Sequence, residues 1–177
     1  MISIVASTVQ QILIRGAEGL DPIRVMIEDF ELGQGRITIT CWDNAWVNYW
    51  GAMSKSTMAE FFLRASTGYL ADKMKSGIER EVCDQEALDR GCRAEVIKQR
   101  RAGDIDKKDA RALWERIDWA ELEAPVILNS DLFDDIFGEE WWCQLPQRQN
   151  PEYVYLCKII EAVKAGLRLH AASEVPA

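Results

Sequence analysis

The sequence predicts an α+β fold: a small N-terminal antiparallel sheet of about three strands packed by helices, a charged helical hairpin, and a long C-terminal helix. Three observations predict it. Two stretches before residue 43 alternate apolar and polar residues with a period of two, the pattern of strands with one buried face. A glycine-containing turn, Glu31 to Gly35, joins them as a hairpin. From residue 44 onward the apolar spacing reads as helical, and capping residues precede the runs.

The elements follow in order. Thr8 to Arg15 reads as a first strand. In Ile23 to Phe30, Ile23, Val25 and Ile27 alternate with Arg24, Met26 and Glu28. In Arg36 to Trp42, Ile37, Ile39 and Cys41 alternate with Arg36, Thr38 and Thr40. Asp43 then predicts the N-cap of a helix starting at Asn44, with Trp42 and Val47 as its hydrophobic staple. Trp46, Tyr49, Trp50 and Met53 obey the i, i+3, i+4, i+7 rule and predict one core-facing stripe. Thr57 to Glu60 has the capping-box pattern, and Ser66 caps another short helix carrying Tyr69, Leu70 and Met74.

A polar helix is expected from Asp84 to Ala102, with Ala87, Leu88, Val96 and Ile97 as its sparse apolar positions. Gly103 breaks it, and a second helix, about Asp106 to Asp118, carries Ala110, Leu113, Trp114 and Ile117. Together they form a helical hairpin, residues 84–118, read as an insertion in one domain spanning 1–177. Ser130 or Asn129 caps a short helix that turns Leu132, Phe133, Ile136 and Phe137 inward. The last helix starts at an Asn150 cap with Pro151 in its first position. Tyr153, Leu156, Cys157, Ile160, Val163 and Leu167 form one stripe; Tyr155, Ile159 and Ala162 add a second, so this helix is packed on more than one side.

Composition excludes several classes of function. No apolar run approaches the ~18–20 residues of a membrane span. The start, "MISIVASTVQQ", has no Lys or Arg and so lacks the basic opening of a signal peptide; the expected place is the cytoplasm. Five cysteines stand at 41, 83, 92, 143 and 157 without a CxxC, and the one histidine is His170. That argues against a zinc site and a Cys–His pair and for reduced, structural thiols. Gly33-Gln34-Gly35 leads from strand to strand, with no Gly-Lys-Ser/Thr after it, so it is not a phosphate loop. No GxSxG and no calcium-loop pattern occurs. No catalytic residue, metal ligand or cofactor is expected, although a carboxylate-only metal enzyme, which leaves no sequence signature, stays as a third reading.

The charge balance, 21 Lys and Arg against 29 Asp and Glu, gives −8, which disfavours general nucleic-acid binding and favours a protein partner with a basic surface. Seven tryptophans are many for this length. Trp141 and Trp142 are adjacent, so they diverge by ~100° on a helix and point to opposite faces on a strand; at least one is hard to bury. From Glu121 to Asn150 there are seven acids against one base. Asp134, Asp135, Glu139, Glu140, Trp141 and Trp142 are therefore the candidate partner-binding residues. Lys98, Arg100, Arg101, Lys107, Lys108 and Arg111, with Arg93, make the one notable basic patch; they are the candidates of an alternative nucleic-acid reading. Oligomeric state is not predicted.

Val25 to Met74 resembles a recurrent pattern in small proteins encoded by tailed phages and prophages. The pieces that carry it are Gly35-Arg36-Ile37-Thr38-Ile39, Trp46-x-x-Tyr49-Trp50-Gly51-Ala52-Met53, Glu60-Phe61-Phe62 and Tyr69-Leu70. The final "EYVYLCKIIEAV" is similar to the end of those proteins, and the likeness covers about half the chain. It does not extend to the charged hairpin. The resemblance implies a phage accessory protein with no assigned activity, and it brings no catalytic residues. The expected function is protein–protein binding, in its sharpest form inhibition of a host defence complex such as a CRISPR effector; the alternative is a nucleic-acid-associated factor in phage replication or recombination.

Overall fold

A computed structural model describes residue 4 and residues 9–120 and 126–173. Thr8, Glu121, Glu123 and the end of the tail lie outside the described residues. The chain divides into two compact units, Met1–Arg80 with Asn150–Ala177, and Glu81–Gln149. The first unit begins with β1 (Gln10–Ile14), β2 (Ile23–Glu31), β3 (Gln34–Cys41), β4 (Asn44–Trp50), α1 (Met58–Arg64) and α2 (Thr67–Met74). The second holds β5 (Glu81–Cys83), α3 (Gln85–Ala102), α4 (Lys107–Trp119), α5 (Ser130–Phe137) and β6 (Gln147–Gln149), with 3-10 turns at Val126–Asn129 and Trp141–Gln144. The chain then returns to the first unit as α6 (Pro151–Ser173). The class is the expected α+β, with the long C-terminal helix in place.

In the first unit β1 to β4 form an antiparallel meander, one strand more than expected. Alternation sets the register. Ile23 stands opposite Cys41, Val25 opposite Ile39 and Ile27 opposite Ile37, and all six are buried. Each such side chain contributes about 1.5–3 kcal/mol of burial. They face Met58 and Phe62 of α1, Leu70, Ala71 and Met74 of α2, and Leu156, Ile159, Ile160, Val163 and Leu167 of α6 in one core. The turn between β2 and β3 needs its glycine: Gly33 has φ 82°, and a Cβ there would stand 1.9 Å from the Ser54 carbonyl oxygen. The close approach is bonded, because the Met53 amide donates to the Gly33 carbonyl at 2.8 Å.

The helix expected from Asn44 is a strand. Asp43 is not an N-cap and Trp42 is not a staple; they form the two-residue turn of the β3–β4 hairpin, where Cys41 pairs with Asn44. Trp42 takes φ 52° and is exposed. Trp46 and Trp50 are buried as expected, but by strand alternation, opposite Ile39 and Gly35. Tyr49, placed on the same stripe by the helical reading, points to the other face and is exposed.

Caps were the more reliable signal. Thr57 and Glu60 close the capping box of α1, and the Ser66 hydroxyl accepts the Tyr69 amide at 3.3 Å. Asp84 accepts the Ala87 amide at the start of α3, and Gly103 ends that helix at φ 88°. Asp106 accepts the Lys108 and Asp109 amides at the start of α4. The Asn150 side chain accepts the Glu152 amide at 3.0 Å. In the second unit α3, α4 and α5 enclose a separate core of Leu88, Cys92, Val96, Leu113, Ile117, Leu132, Phe133, Ile136 and Trp141. β5 and β6, which no sequence pattern announced, pair antiparallel where the chain enters and leaves this unit.

Candidate functional site

The two units divide the charge unequally. Glu81–Gln149 holds seventeen acidic and ten basic residues, whereas the rest of the chain holds twelve acidic and eleven basic ones. Almost all of the −8 therefore belongs to the second unit, which also carries both surfaces that the sequence singles out.

The acidic surface is built by α5 and the turn after it. Leu132, Phe133 and Ile136 are buried, so Asp131, Asp134 and Asp135 on the same helix are driven outward. Gly138, at φ 83°, ends the helix, its amide donating to the Asp134 carbonyl at 2.8 Å. Glu139 and Glu140 follow, exposed, and the chain enters the 3-10 turn with the Trp141 amide bonded to the Gly138 carbonyl at 3.0 Å. The adjacent tryptophans then part. Trp141 is 8% exposed, with its ring 5.3 Å from that of Phe133; Trp142 is 57% exposed and meets Trp141 edge-on at 5.9 Å. Trp141 is thus a core residue, and Trp142 is the exposed one. Asp135 accepts a hydrogen bond from Arg116 at 2.5 Å. Asp134, Glu139 and Glu140 make no side-chain ion pair among the described residues.

Three of the basic candidates line one groove, and the others stand along the same two helices. Lys98 is held by Glu95 at 3.0 Å, and Arg111 by Glu115 at 3.3 Å. Lys107 and Lys108 stand in the first turn of α4, beside the Asp106 cap. Arg100, Arg101 and Arg111 come together with Val96, Ile97, Ala110, Trp114 and Glu115 around an open groove of about 550 Å³ between α3 and α4. Arg93 lies 5.0 Å over the Trp114 ring and is fixed by Asp89 and Asp118, each at 2.9 Å. The groove was not foreseen from sequence, although every residue in it sits at helical spacing.

Elsewhere the chemistry is structural. A cavity of about 460 Å³ in the first unit is lined by Asn44, Trp46, Ile78, Pro151, Glu152 and Tyr155, with one carboxylate. The Tyr155 hydroxyl lies 3.4 Å from the Cys41 sulfur, and this contact with burial pushes the phenol up to about 12. Burial pushes the Cys92 thiol up to about 11, the opposite of a reactive thiolate. His170 Nε2 lies 2.9 Å from the Gln10 amide nitrogen. Two polar features had no sequence signal. Arg80 and Tyr153 both donate to Asp72, and Arg80 holds that carboxyl below its usual range. Lys164 is buried on the core face of α6, donating to the Ala65 carbonyl at the end of α1. Among the described residues no cluster of three His, Cys, Asp or Glu is arranged for a metal ion, and no helix is long and apolar enough to cross a membrane.

The sequence matches, over residues 2–169, the model of a family described as a phage family, Phage_phiTE_072. No curated protein and no solved structure matches it.

Proposed function

This chain belongs to a family of phage proteins, Phage_phiTE_072, and from that premise we propose that it is an accessory protein that works by occupying a basic protein surface of the host. One observation carries the reading. Trp142 is 57% exposed, two residues after the exposed Glu139–Glu140 pair, in the unit that holds almost all of the net negative charge. An exposed indole is a large rigid anchor, and carboxylates around it steer and align a Lys/Arg-rich partner. The surfaces with that chemistry are grooves that hold nucleic-acid backbones. A host defence complex, of which a CRISPR effector is one kind, is therefore the partner class proposed, with inhibition by occupancy as the effect. Trp141 supports the site from beneath rather than by contact.

Affinity capture from a host lysate at moderate salt, with the retained protein identified and then titrated by calorimetry, tests this. Trp142→Ala and Glu139→Lys/Glu140→Lys are each expected to weaken binding by roughly tenfold or more, as loss of an anchor or of aligned charge does. A partner bound equally well by both variants would refute the assignment. Arg100, Arg101 and Arg111 around Trp114 favour one second reading, a nucleic-acid-associated factor. It requires a gel shift with single-stranded DNA that fades steeply with salt. The absence of any shift at low salt removes it.

A further inference from the structure

The groove between α3 and α4 has no role in that reading, and its chemistry specifies an occupant. Arg100 and Arg101 are exposed and make no ion pair among the described residues. Among the described residues Arg111 pairs with the exposed Glu115. Ile97 and Trp114 give the groove apolar surface between these cations. Such a groove takes an apolar side chain flanked by carboxylates, because each guanidinium fork receives an oxygen pair while the apolar surfaces close on one another. A long polyanion suits it less. Three of the six basic residues named for nucleic-acid binding line it, and the unit around them has seventeen acids to ten bases. That balance repels a polymer at range while leaving short contacts at the arginines intact.

The chain itself presents the required chemistry: an exposed Trp142 two residues after Glu140, with Glu139 and Glu140 exposed and making no ion pair among the described residues. We infer that the α3–α4 groove docks a second copy of this chain, which inserts Trp142 beside Ile97 and Trp114 and sets Glu139 and Glu140 against Arg100 and Arg101. The groove volume of about 550 Å³ has room for an indole. The contact joins unlike surfaces, groove on one molecule and turn on the next, so two copies close it reciprocally as a two-fold dimer or repeat it as a ring or chain. It rests on ion pairs and one anchor, so it is weak and salt-sensitive. The inference shares the exposed Trp142 turn with the proposed function; the groove belongs to it alone.

Sedimentation velocity of the full chain, across a concentration series at low and high salt, tests it. The wild type is expected to associate at low salt and to return to monomer at high salt. Arg100→Glu/Arg101→Glu and Glu139→Arg/Glu140→Arg each place like charges face to face and should weaken self-association by roughly a hundredfold. Mixed together, the two variants restore a complex, because each then offers the other a complementary half. Adding Trp142→Ala to both variants removes that rescue, which separates docking from general charge attraction. A wild type that stays monomeric at low salt overturns the inference, as does association untouched by the groove variant. A groove that shifts single-stranded DNA while the protein stays monomeric overturns it in favour of nucleic acid. Host-partner capture is unchanged in Arg100→Glu/Arg101→Glu, so failure of self-association and failure of partner binding are read apart.

Discussion

Replacing the two adjacent tryptophans one at a time should give opposite results. Trp141 is 8% exposed, stacks on Phe133 at 5.3 Å, and sits in the core of α3, α4 and α5. Trp141→Ala removes an indole and leaves a cavity, a change worth about 3–5 kcal/mol. The unit Glu81–Gln149 has about 70 residues, so at ~0.05–0.15 kcal/mol per residue its whole stability is about 4–10 kcal/mol. The substitution therefore consumes around half of it and leaves the unit at or near unfolding. Trp142→Ala gives up an exposed ring and one edge-on aromatic contact, together under about 1.5 kcal/mol. Urea denaturation followed by far-ultraviolet circular dichroism separates them. Trp141→Ala should lower the midpoint sharply or abolish the transition of this unit, and Trp142→Ala should keep a near wild-type midpoint and slope. Equal losses, or a larger loss for Trp142→Ala, would refute the assignment of one ring to folding and the other to recognition.

Gly33→Ala should destabilise by about 2–3 kcal/mol: the positive φ costs about 1–2 and the broken Met53–Gly33 hydrogen bond about 1. A thermal melt equal to wild type would mean that the loop after β4 does not rest on the hairpin. Asp72 has its pKa lowered by Arg80, so its contribution is present above the unfolded carboxylate value of about 3.9 and is lost as pH falls through the lower folded value. Wild type should therefore lose stability below about pH 4 more steeply than Asp72→Asn; parallel acid limbs would exclude the pairing. Cys143 is exposed while Cys41 and Cys92 are buried, and burial raises Cys92 to about 11. A thiol reagent followed by mass spectrometry should label Cys143 first and Cys92 only on unfolding, and early labelling of Cys92 would contradict the packing of the second core.

Much of the fold was legible because its signals are local. Caps at Thr57, Ser66 and Asn150 act through hydrogen bonds two or three residues away, and each formed as expected, whereas the short helix at Ser130 has no side-chain cap bond from Asn129. The alternation of Ile23, Val25 and Ile27 set a register without reference to distant residues. β4 was misread because Trp46 and Trp50 are four apart, a spacing that both a helix and a strand place on one face. Only Tyr49 distinguishes the two, and its exposure is a tertiary fact. The same holds at the candidate site. Sequence placed Trp141 and Trp142 among acids but left open which was buried; Phe133 decided it. Lys164 inside the α6 stripe and Arg80 on Asp72 are long-range pairings, and the groove at Trp114 exists only where two helices meet.

The neck of the second unit has a consequence for change. Arg80 and Asn150 are joined by a backbone hydrogen bond of 3.0 Å, and immediately beyond them Glu81 pairs with Gln149. Seen from the sheet and its three helices, everything between these residues begins and ends at one point. Exchanging a four-residue turn there for a segment of about 70 residues raises the closure entropy by roughly 2–3 kcal/mol, because that term grows only with the logarithm of length. The sheet with α1, α2 and α6 closes its own core, and the acidic unit is an exchangeable segment of chain within one loop of it. Its length and charge can be rewritten between residues 81 and 149 without touching a residue of that core.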